Sequence, residues 1–294
     1  MAGSDLTSPS AARWIGDPEV DHGEGAFWDA ATGTLRHVDM LAGDLITVAE
    51  DVASTDRTHV ADVLSVIRRR RSGGFVAAVE RGFALLDDDL AIVGRIPVFD
   101  DPAVRMNEGT CDVAGRFFCG SMAYDARPGG GHLYRLDPDL TVHVALEGVS
   151  IPNGLVWTDA GTTALHADTL TREIRAYDYD PDRGEFGASR VFVRMDDDAP
   201  GSPDGTALDD DGGLWVAMWG GGAVHRYDAA GRLDHVMPLP VTNPTSCAFG
   251  GDGTPLLYVT TSRQGVAAGE EPLAGRVLVV PVGVRGAEVH SFEG

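Results

Sequence analysis

Four polar residues, each followed by glycine, recur along the chain: Glu24-Gly25, Glu108-Gly109, Asn153-Gly154 and Asp204-Gly205. They lie 84, 45 and 51 residues apart. Brought together, Glu24, Asn153 and Asp204 offer hard oxygen donors without thiolate or imidazole. Such a set suits Ca²⁺, Mg²⁺ or Mn²⁺ better than zinc, although geometry can still admit Zn²⁺. Three protein ligands leave positions open for water and substrate, the mark of a catalytic rather than a structural ion. Acids converging in one pocket repel unless a proton or a cation compensates. Taken singly, each pair is an ordinary turn former. Their common spacing, with a glutamate among them, is what points to a site.

That spacing requires a repeating scaffold. Six runs rich in β-branched and aromatic residues begin near Leu35, Phe75, Phe117, Ala164, Leu214 and Leu256. They recur at the roughly 40–50-residue period of propeller blades. A second strand follows each, as in LITVAE, HLYRLD and VHRYDA, and a further strand precedes each, as in AFWD, TCDV, LVWT and TALD. Three or four short strands per repeat predict an all-β, six-bladed β-propeller in one domain, 1–294, with a polar tail over about residues 1–12. Equivalent positions at the start of each innermost strand would then point into the central channel, and a metal site is expected there. Only the stretch 60–71 reads as able to hold a helical turn.

Composition narrows the function. The chain of 294 residues is 43% hydrophobic, enough to bury a core. Its net charge of -22 repels phosphate backbones and anionic lipid, so neither nucleic acid nor membrane is an expected partner. All 23 basic residues are arginine, which excludes a Schiff-base lysine and a Walker-type lysine. Cys111, Cys119 and Cys247 form no CxxC pair and are expected to pack as small hydrophobes. With neither a signal-like N-terminus nor a long apolar run, a cytoplasmic location is expected.

The segments GEGAFWD (23–29), RMNEGTCDVAGRFFCGSM (105–122), PNGLVW (152–157), SPDG (202–205) and LWVAMW (214–219) resemble the regucalcin–gluconolactonase family, in order and over nearly the whole chain. That resemblance implies a six-bladed propeller with one divalent cation in its channel, Ca²⁺ first, with Mg²⁺, Mn²⁺ or Zn²⁺ as alternatives. It matches the family's metal ligands to Glu24, Asn153 and Asp204, and assigns Asp204 as the catalytic acid/base. It matches substrate contacts to Arg105, Asn107 and Asp125. The family's Asn-Asp-Gly reads Asn107-Glu108-Gly109 here, and Tyr124 follows the last motif, so Glu108 and Tyr124 are expected to line the channel. The implied activity is metal-dependent hydrolysis of a sugar lactone to the aldonic acid, with no protein partner. The alternatives are a non-enzymatic calcium-binding regulatory protein, and a hydrolase of non-sugar lactones, aryl esters or organophosphates.

Other features read more plainly. Arg68 to Arg71 reads as a solvated inter-blade turn that offsets local acid. His22, two residues from Glu24, is within reach of the channel rim but reads first as a surface or turn histidine, and the acidic clusters 87–89, 196–198 and 209–211 read as exposed turns. Trp157, Trp215 and Trp219 read as blade packing. VHSF (289–292) is a candidate closing strand, with residues 13–15 as its partner.

Overall fold

In a computed structural model, which describes residues 12–16, 20–49, 54–251 and 253–294, twenty-four strands form six four-stranded antiparallel sheets. The expected tail lies, apart from Ala12, outside the described residues. Five sheets are consecutive meanders. The first blade holds β2 (Gly23–Asp29), β3 (Thr34–Asp39), β4 (Asp44–Ala49) and β5 (Thr55–His59). The next four begin on β6 (Leu64–Arg69), β10 (Val104–Cys111), β14 (Pro152–Thr158) and β18 (Ser202–Leu208). The last blade joins β22 (Pro244–Gly250), β23 (Leu256–Thr261) and β24 (Val277–Pro281) to the N-terminal β1 (Arg13–Ile15). Trp14 pairs with Leu278, so the two ends of the chain close the ring. This is the six-bladed propeller the repeats predict.

The inner strands are buried almost throughout because each blade is covered by its neighbours on both faces, whereas the outer β9 (Ile92–Pro97) alternates between half-buried and exposed. Phe27, Val38 and Leu45 of the first blade pack on Ile67, Phe75 and Ala77 of the second. Phe118, Trp157, Tyr179 and Phe186 interlock between the third and fourth, with Phe118 wholly buried. Full burial of such a ring stabilises the fold by about 2–3 kcal/mol. An aspartate ends several inner strands and ties blades together. Asp29 receives Arg36 and Arg69 at 2.9 and 2.7 Å. Asp112 receives the Tyr179 hydroxyl at 2.6 Å. Asp209 receives Trp215 Nε1 and Arg226 Nε at 2.8 and 2.7 Å. Asp209 is therefore buried, not the exposed turn residue its cluster suggested.

Three expectations are corrected. The stretch 60–71 holds no helical turn: residues 64–69 are the inner strand β6. The arginine run is not a solvated turn. Arg68 is buried toward the channel, Arg69 clasps Asp29, Arg70 donates to Gly294 O at 2.8 Å and Arg71 pairs with Glu293 at 2.8 Å. Residues 289–292 do not pair with β1. The C-terminal segment instead crosses the underside of the propeller, with Ala287 N donating to Leu208 O and Phe292 N to Arg69 O, both at 2.8 Å. The side chain of Phe292 is fully buried there.

All three cysteines are buried in strands, and burial pushes their thiols up, as packed hydrophobes require. Among the described residues no helix is long and apolar enough to cross a membrane.

Candidate active site in the central channel

Every inner strand carries a register irregularity at the same level. The shifts fall at Glu24/Phe27, Leu64/Val66, Met106/Gly109, Asn153/Leu155, Pro203/Thr206 and Pro244/Ser246. A bulge leaves residues outside the ladder and re-aims their side chains. Six of them in a closed ring aim residues at the axis. The glycines make room for this. A Cβ on Gly154 would stand 2.2 Å from Thr206 Cγ2 on the next blade, and Gly25 adopts a φ of +59°. Neither position accepts another residue without strain.

Around that ring the structure gathers Glu24, Arg105, Asn107, Asn153 and Asp204, all buried. Asn107 Nδ2 donates to Asn153 Oδ1 at 3.0 Å and to Pro152 O at 2.8 Å. Asn153 Nδ2 donates to Thr169 Oγ1 at 2.7 Å, and Thr169 passes its own proton to Pro203 O, also at 2.7 Å. This chain fixes the Asn153 amide so that its oxygen faces the ring. Arg105 Nη1 donates to Asn107 Oδ1 at 2.6 Å and to Met106 O at 2.9 Å. Asp204 Oδ1 is buried with no hydrogen-bond partner, a costly state for a carboxylate oxygen.

The electrostatics match that cost. Burial, then the charge of Glu108, pushes the Glu24 carboxyl up to about 8. Burial, then Glu24 and Glu108, holds Asp204 well above the usual carboxylate range. Arg105 opposes both rises. Among the described residues no three His, Cys, Asp or Glu side chains converge on a metal position.

The remaining expected residues stand elsewhere. Glu108 shares the spacing but not the ring: its neighbour Asn107 holds that level, while Glu108 accepts a hydrogen bond from the Gly154 N–H. Burial raises its carboxyl to about 7, and Arg68 opposes the rise. Glu108 and Arg68 line a cavity of about 100 Å³ in the lower channel, floored by residues 287–290 of the C-terminal segment. Tyr124 is 53% exposed at the upper mouth, with the Arg105 guanidinium 5.8 Å from its ring centre. Asp125 lies outside the cluster, exposed and paired with Arg127 at 3.1 Å.

Two residues of the channel, Arg68 and Thr169, were not expected from the sequence, and a third, His22, is within reach of the rim in the sequence but reads there first as a surface residue. His22 is not a surface histidine: it is buried, 3.9 Å from Glu24 Oε1, with its ring edge-on to Trp219 at 5.8 Å. Burial, then Arg105, lowers its pKa to about 3, so the ring is neutral. Arg68 is the second buried cation of the channel, and Thr169 orients Asn153. A signal existed for Arg68. The 84-residue interval from Glu24 to Glu108 spans two blades, so an inner strand had to lie half-way, near residue 65.

Residues 22–263 match the SMP-30/Gluconolactonase/LRE-like region. Regucalcin from Oryctolagus cuniculus is 33% identical over 290 residues, covering 94% of this chain and 97% of its own. The structure of a luciferin-regenerating enzyme superposes with a TM-score of 0.87 at 27% identity, covering 97% of this chain and 99% of that one. A calcium-binding protein, regucalcin, from Agrobacterium tumefaciens also gives 0.87, with 96% and 97% covered, and at 24% identity it speaks for the fold alone. The chain belongs to the SMP-30/gluconolactonase/LRE-like family.

Proposed function

We propose that the channel hydrolyses a sugar lactone to its aldonic acid with one bound divalent cation, Ca²⁺ first among the hard ions that suit its donors. The observation that carries this reading is the buried ring itself: two carboxylates and an oriented amide oxygen, with Asp204 Oδ1 unpartnered, beside the Arg105–Asn107 pair. Glu24, Asn153 and Asp204 would hold the cation. The donors fit. Asn153 Oδ1 keeps a lone pair beyond its bond from Asn107, and a dication would offset the repulsion between the two acids. Membership of a family named for gluconolactonase supports the substrate class.

When bound, such an ion supplies Lewis-acid polarisation of an ester carbonyl and neutralises the acids beside it. The chain's own residues supply the rest. Water attacks the lactone carbonyl carbon and gives up a proton to Asp204 Oδ1. As the ring C–O bond breaks, the departing ring oxygen takes that proton back, leaving the open acid. Arg105 and Asn107, locked to each other, hold sugar hydroxyls and set the angle of attack. The Arg105 guanidinium also favours negative charge growing at the reacting carbon's oxygen. Tyr124 and Asp125 would meet only the part of the substrate that faces solvent. Glu108, bonded to Gly154 below the ring, supports the bulge rather than the attacking water.

Acid release from sugar lactones, lost on chelation and restored by added cation, is the test. A non-enzymatic calcium-binding protein would bind the ion and release no acid. A hydrolase of other esters would turn over aryl esters in preference.

A further inference from the structure

His22 stands beside the proposed ligands but outside them. Ser262 Oγ accepts from Gln264 N at 3.1 Å and lies 3.3 Å from Asp21 O. Assigning its one proton to Asp21 O makes His22 Nδ1 the donor in the 2.9 Å contact with Ser262 Oγ. In a neutral ring that leaves Nε2 with a lone pair. His22 Nε2 stands 3.9 Å from Glu24 Oε1, too far for a hydrogen bond between them. The ring cannot swing away, because Trp219 packs edge-on against it and the His22 backbone N–H is bonded to Asp39 Oδ1 at 3.1 Å.

We propose that His22 Nε2 is a fixed acceptor for a hydroxyl of the substrate, a contact that selects polyhydroxylated lactones over unsubstituted ones. The proposal rests on the lactonase reading for its substrate. A hydroxyl suits it: Glu24 and Asp204 are carboxylates assigned to the cation, so a neutral acceptor at Nε2 discriminates for O–H groups and against bare methylenes. Among the described residues, His22 is the imidazole that stands beside Glu24.

The experiment compares D-glucono-δ-lactone with δ-valerolactone at pH 8, where an imidazole is ordinarily neutral. His22→Phe keeps the packing on Trp219 and removes the acceptor. It is expected to lower kcat/KM for the sugar lactone about tenfold, mainly through KM, and to leave δ-valerolactone unchanged. His22→Gln, whose amide oxygen reaches about as far as Nε2, should recover most of the loss. His22→Asn, which reaches only as far as Nδ1, should not. A binding readout needs no turnover: gluconate titrated into the Ca²⁺-loaded protein, followed by tryptophan emission with Trp219→Phe as the control, should bind about tenfold more weakly to His22→Phe. Ca²⁺ affinity by calorimetry should match the wild type. An equal loss on both lactones, an unchanged gluconate affinity, or a weakened Ca²⁺ affinity would each overturn the assignment. A wild type that opens neither lactone but binds gluconate in a His22-dependent way would defeat the enzymatic reading and leave the acceptor standing.

Discussion

Asp204→Asn should make the metal-free protein more stable and the metal-loaded protein relatively less so. Each pKa unit is worth about 1.4 kcal/mol. Glu24 rises from 4.5 to about 8 in the fold, and Asp204 rises through burial and the charge of Glu24. A carboxyl raised in the folded state favours folding fully below its unfolded value and loses that advantage as pH climbs through the folded value. The metal-free wild type should therefore lose several kcal/mol between pH 4.5 and 8. Asn removes one of the two charges at nearly constant shape. After discounting for relaxation, we expect it to recover about 2 kcal/mol at pH 8, a rise in Tm of about 4 °C for a chain of this size. Added cation reverses the order. A ligand at one hundred times its Kd stabilises the wild type by about 2.7 kcal/mol, and the variant should gain almost nothing. The assay is calorimetric melting at pH 5 and pH 8, in chelator and in excess Ca²⁺. A variant less stable than the wild type in chelator at pH 8, or one that gains as much from Ca²⁺, would refute the reasoning.

The glycine and the second arginine of the channel make two further tests. Gly154→Ala would set a Cβ 2.2 Å from Thr206 Cγ2 and 2.9 Å from Asp204 O, so it should cost about 1–3 kcal/mol in urea unfolding and weaken cation binding; wild-type stability would contradict the close approach. Arg68→Met leaves Glu108 without its nearest opposing cation, so it should cost about 2 kcal/mol at pH 8 and less at pH 5, below the Glu108 value of about 7. Adding Glu108→Gln should restore most of that loss, and a cost independent of pH would show that the two do not interact.

The propeller was legible because blade period, short apolar strand runs and turn residues all agree, and packing on both faces requires such runs. The ring was legible in part. Glu24, Asn153 and Asp204 announce themselves by glycine at bulges, where a backbone must pass close to its neighbour. Glu108 lines the channel as expected but sits one residue past the ring, and only the register of β10 against β11 (Phe117–Ala123) separates it from Asn107. Arg68 was hidden because four consecutive arginines look like a solvated turn, whereas here each finds a different partner. His22 was legible only as a candidate for the rim, two residues from Glu24, because its partner Ser262 lies 240 residues away, which no local pattern reports. The C-terminal segment paired differently from expectation for a related reason: β1 had an open edge at β24 to fill, and residues 289–292 found theirs on Arg69–Arg71 instead.

The most direct measurement is acid release from five- and six-membered sugar lactones by metal-stripped protein, with spontaneous opening subtracted, before and after restoring Ca²⁺, Mg²⁺, Mn²⁺ or Zn²⁺. Turnover of at least one sugar lactone, absent in chelator, restored by a divalent cation and abolished in Asp204→Asn, is the expected result. Turnover that survives chelation, or no turnover of any lactone with any of the four ions, would contradict it.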